Sequence, residues 1–65
     1  MLKIIESKKV NGYKVWLIKL NDELYQIKVN ADTVQEVANL GDGLLWFGRF
    51  ESLMGTMPYY HKENI

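Results

Sequence analysis

Apolar and polar residues alternate through the first thirty positions, and turn-forming residues interrupt the alternation twice. The runs Leu2 to Val10 and Tyr13 to Leu20 flank Asn11-Gly12. Asn-Gly is the strongest short hairpin signal, because both residues tolerate the positive φ of a type I′ turn. The flanking runs are rich in Ile, Val, Tyr and Trp, which favour strands. A second turn signal, Asn21-Asp22-Glu23, precedes Leu24 to Asn30. The pattern therefore predicts three strands, about 2–10, 13–20 and 24–30.

A two-residue loop at Asn11-Gly12 pairs Val10 with Tyr13, Ser7 with Trp16 and Ile5 with Ile18. It also sets Lys9 opposite Lys14. An even loop at the second turn then pairs Ile18 with Tyr25 and Trp16 with Ile27. One face becomes Ile5, Ser7, Trp16, Ile18, Leu20, Tyr25, Ile27 and Val29. The other carries Ile4, Glu6, Lys8, Val15, Leu17, Lys19, Gln26 and Lys28. The first set segregates apolar residues better and is the expected core face. On the second face, Val15 and Leu17 remain as apolar exceptions, which the C-terminal segment can cover.

The apolar face needs a cover, and helical spacing supplies one. Asp32 reads as an N-cap with Gln35 three residues on. Val34, Val37 and Ala38 then share a side, and Gly41 ends the element. Residues 44–54 fit either a helix, with Phe47, Phe50 and Met54 on one side, or a strand in which Leu44, Trp46 and Phe50 alternate. Gly48 weakens the helix, Trp46-Phe47 favours a strand, and Glu51 to Met54 favours a helix, which is the preferred reading. Pro58 breaks any regular element. The expected architecture is a single α+β domain over residues 1–65: a three-stranded antiparallel meander at 2–30 with one or two short helices on one face. A helical or mixed half would fill 32–55 and an irregular tail 56–65.

Length and composition narrow the function. A chain of 65 residues forms one small core, and with no cysteine it has neither disulfides nor thiolate metal sites. Such a thin core favours a homodimer over a monomer. No apolar run approaches the length of a membrane-spanning helix, and Glu6 to Lys9 fill the place of a signal-peptide core. A cytoplasmic protein is expected. Eight basic and eight acidic residues give a net charge of zero, which is not the footprint of a general nucleic-acid binder.

Little in the chain resembles reaction machinery. His61 is the only histidine and follows Pro58 closely, which reads as surface. Ser7 and Ser52 lack the nucleophile-elbow context. Gly41-Asp42-Gly43 follows a helix pattern and lacks the lysine of a phosphate loop. No enzyme, metal or cofactor is expected. The anomaly is an excess of aromatic and methionine side chains late in the chain. Trp46, Arg49, Phe50, Met54, Met57, Tyr59 and Tyr60 are residue types enriched at protein interfaces. They predict a non-catalytic interaction module, a small adaptor, subunit or inhibitor that acts by steric binding to a larger protein or to itself. The alternative is nucleic-acid binding through a lysine-bearing sheet face made of Lys8, Lys19 and Lys28, with Tyr13 at one end.

Overall fold

The computed structural model describes residues 2–60. Four antiparallel strands follow one another in a meander: β1 (Lys3–Val10), β2 (Tyr13–Asn21), β3 (Leu24–Val29) and β4 (Asp32–Val37). One helix, α1 (Leu40–Thr56), then crosses a single face of the sheet. The α+β class and the meander are as the pattern predicts. The fourth strand is not, and it takes residues that were expected to start a helix. Asn30 adopts φ 59, which lets Asn30-Ala31 close a tight turn and pair Val29 with Asp32. The turn is tied to β2 as well, where Asn30 N donates to Lys14 O at 2.8 Å and Asn30 Oδ1 accepts from Lys14 N at 3.2 Å. Thr33, Val34 and Val37 are β-branched and suit a strand.

Asp32 is therefore no N-cap, and Gly41 ends nothing. The helix is capped by Asn39, whose Oδ1 accepts from Asp42 N at 2.8 Å. Gly41 lies inside the first turn. Residues 44–51 are helical throughout, and α1 ends at Thr56, two residues before Pro58.

The first hairpin has the predicted register, with Val10 opposite Tyr13 and Ser7 opposite Trp16. Two bulges then overturn the expected core face. In β1 the register shifts at Ile5, so Ile4 rather than Ile5 meets Ile18. In β2 it shifts at Leu20, which pairs Leu17 with Ile27 and Lys19 with Tyr25. A one-residue shift sends a whole strand's side chains to the other face. Tyr25, Ile27 and Val29 thereby join Val15 and Leu17, and that set is the one α1 covers. Val15, Leu17, Tyr25, Ile27, Phe47 and Met54 form the buried cluster, with Ile5, Val10, Val37, Trp46 and Phe50 packed around it. Ser7 and Trp16 lie on the opposite face, which α1 does not cover.

Candidate functional site

Two surfaces hold the residues singled out by sequence. The first is the outer side of α1 and the chain that leaves it. Residues four apart on a helix stack in rows. Trp46, Phe50 and Met54 form one row that turns toward the sheet. Met54 is buried, while Trp46 and Phe50 are half-buried with ring centroids 6.0 Å apart. The neighbouring row is Leu45, Arg49 and Leu53, continued by Met57, and all four are exposed. Leu45 is 51% and Leu53 48% accessible. The Arg49 guanidinium lies 4.9 Å from the centre of the Trp46 ring, so the two rows are linked by a cation–π contact.

The sequence reading thus named both rows but not all of their members. Met54 belongs to the core, and Leu45 and Leu53 are not among the predicted interface residues. Leucines in a helix read first as core residues. Only the position of α1 on the sheet reveals which ones turn outward.

After α1 the chain folds over the β1–β2 turn. Asn11 adopts φ 55, as its turn requires. Its side-chain amide donates to Met57 O and, at 3.5 Å, to Met54 O, while its own carbonyl accepts from Tyr60 N at 3.2 Å. Tyr13 Oη donates to Pro58 O at 3.1 Å, and the Tyr13 and Tyr60 rings sit 5.2 Å apart. The hairpin turn is therefore also the dock for residues 57–60. Tyr59 is exposed and Tyr60 half-buried.

The second surface is the uncovered sheet face. The four residues predicted to share a lysine-bearing face are divided between the two sides. Lys8 and Lys19 are paired with Val15 and Tyr25, so they belong to the helix side, as does Tyr13. Lys8 Nζ lies 2.7 Å from Glu51 Oε2 on α1, and Lys19 Nζ lies 3.1 Å from Asp22 Oδ1. The Glu51 hydrogen bond holds the Lys8 ammonium above the ordinary lysine pKa, and the Asp22 hydrogen bond does the same for Lys19. Lys28 alone of the three is on the open face, opposite Trp16, with Nζ 2.8 Å from Thr33 Oγ1. Its basic neighbours there are Lys9 and Lys14, which face each other across β1 and β2 as the hairpin arithmetic predicts. Lys14 Nζ sits 4.8 Å from the centre of the Trp16 ring.

Among the described residues there is no cluster of three or more His, Cys, Asp or Glu that could hold a metal, and no helix long and apolar enough to cross a membrane. His61 lies outside the described residues. Comparison with protein-family models, curated proteins and solved structures finds no match for this chain.

Proposed function

We propose that the chain is a non-catalytic protein–protein interaction module that docks on a partner through the outer row of α1. The observation that carries this reading is the exposed ridge Leu45–Arg49–Leu53–Met57, backed by Trp46 and Phe50. Apolar anchors around an arginine, over half-buried aromatics, are the composition of an interface centre. The ridge stands on a regular helix anchored by Phe47 and Met54, so little ordering cost accompanies docking. Its action is steric: the module occludes or scaffolds the surface it covers. The mode is the helix-in-groove type, in which residues at helical spacing enter an apolar groove.

The test is capture of partners from nuclease-treated lysate by wild-type chain and by Leu45→Lys/Leu53→Lys. Both positions are exposed, so the double variant keeps its circular dichroism and melting behaviour. A stoichiometric protein bound by the wild type and lost by the variant is the expected result. A protein held equally by both places the contact elsewhere and overturns the reading. Light scattering of the purified chain across concentrations tests self-association through the same ridge, which the double variant would abolish.

A further inference from the structure

We propose a second site, distinct from the outer row of α1: a cleft that binds a planar aromatic base bearing a nearby phosphate. The cleft lies where the β1–β2 turn, the open sheet face and the segment after α1 meet. It encloses about 460 Å³ and is lined by Lys9, Lys14, Trp16, Asn30, Tyr59 and Tyr60, among others. That volume is within the range of small-ligand sites, about 300–1,000 Å³.

Three features point to this ligand class. Lys9 and Lys14 are directly opposed, and like charges so placed destabilise a sheet. Among the described residues neither has an acidic side chain within ion-pair distance; the ion pairs there are Lys8–Glu51 and Lys19–Asp22. Edge protection accounts for lysines on β1, which is an edge strand, but β2 is interior, so it does not account for Lys14. An anion held between the two ammonium groups would relieve the repulsion. Second, the walls beside the pair are aromatic. Tyr59 and Tyr60 offer flat apolar surfaces of the kind on which bases stack, and Trp16, with Lys14 Nζ 4.8 Å from its ring centre, lines the cleft beside them. Third, Trp16 Nε1 is buried with no hydrogen-bond partner among the described residues, leaving a donor unused beside the cleft. Lys28, opposite Trp16, extends the positive charge along the open face beyond the pocket.

Backbone geometry sets one wall of the cleft. Gly12 adopts φ 86, and a Cβ there would sit 2.3 Å from the carbonyl oxygen of Tyr60. Only glycine lets the segment bearing Tyr59 and Tyr60 lie this close to the turn.

The recognised chemistry is shared by a free nucleoside phosphate and by a single-stranded nucleic acid, and the experiment separates them. The full chain is titrated at low salt into fluorescently labelled twelve-nucleotide DNA and RNA strands, followed by anisotropy. Nucleoside monophosphates are tested separately, by quenching of Trp16 emission in a Trp46→Phe background. Binding of a strand with mononucleotides inert assigns the site to nucleic acid. Saturable quenching by a mononucleotide that also displaces the strand assigns it to the free nucleotide. In either case Lys9→Gln/Lys14→Gln weakens binding at least about tenfold and removes part of the salt dependence. Tyr59→Ala weakens it about tenfold, the loss of one stacked base. Lys3→Gln, at the far end of β1, changes it less than about twofold, and Leu45→Lys/Leu53→Lys leaves it intact, so this site and the α1 ridge fail or stand separately. No binding by any probe at low salt, or binding that folded Lys9→Gln/Lys14→Gln and Tyr59→Ala variants retain, overturns the proposal.

Discussion

Asn11 serves three structures at once. Its positive φ makes the hairpin turn, its side chain satisfies carbonyls at the end of α1, and its own carbonyl holds Tyr60. Substitutions separate the roles. Asn11→Gly keeps the turn and loses the side-chain bonds, which costs about 1–2 kcal/mol in denaturant unfolding. Asn11→Ala strains the turn as well and costs more. A melt in which the two variants match wild type would show that the dock adds nothing. Lys8 and Glu51 give a pH signature at the same scale. A raised folded-state pKa means that the ammonium's contribution is complete below the unfolded value and fades as pH rises through the folded one. NMR titration of the Lys8 side chain should show its midpoint falling toward the ordinary lysine value in Glu51→Gln. An unchanged midpoint would remove the ion pair from solution. The Asn11-Gly12 turn was legible in the sequence because its chemistry is local. Its second use was not, because the carbonyls it meets are more than forty residues away.

At the scale of elements, two of the sheet's three register shifts decide which face is buried; the third, at Val34, lies in the β3–β4 pairing. The hydrophobic pattern of β2 carries apolar residues on both faces: Val15 and Leu17 on one, Trp16 and Ile18 on the other. Alternation alone therefore could not choose the buried side. The shift at Leu20 puts Tyr25 and Ile27 on the Leu17 side, and the shift at Ile5 turns Ile5 to that side and Ile4 away from it. Ile18 is only 2% exposed although it faces away from α1, so the open face keeps a small apolar strip of its own with cross-strand Ile4. The missed strand β4 has the same origin. Asp32 followed by Gln35 satisfies a helix-start rule, and the Asn30 turn that redirects the chain is a single-residue signal. The glycines of α1 supply a sharp test. Gly48 faces open space, so Gly48→Ala should stabilise by about 0.5–1 kcal/mol through helix propensity. A Cβ on Gly43 would meet Leu17 Cδ1 at 3.0 Å, so Gly43→Leu should destabilise by about 1–3 kcal/mol as α1 is pushed off β2. Equal effects at the two positions in thermal melts would contradict the seating of the helix.

The whole molecule has two layers, a sheet and one helix, and its shortest dimension is 15 Å. A single helix cannot cover both faces of a four-stranded sheet, so among the described residues one face has no second layer over it. Nor can a core this thin use every large side chain in the second half. The aromatic excess read from sequence was real, but its division between inside and outside depended on the rotation of α1. That rotation places Phe47 and Met54 inward and leaves Leu45, Arg49 and Leu53 outward. Leu17, fully buried at the centre of β2, marks the limit of tolerance. Leu17→Ala should cost about 2–5 kcal/mol, enough to abolish cooperative unfolding in a domain this small. A sharp melt close to wild type would argue against the helix-side core.

Site-specific photo-crosslinking in cells of the source organism tests the central claim most directly. Benzoylphenylalanine is placed at Leu45 or Leu53 on the ridge, and at Thr33 on the open sheet face as the comparison. The account predicts one protein adduct common to the two ridge positions and lacking at Thr33. The same adduct from Thr33, with none from Leu45 or Leu53, would contradict it.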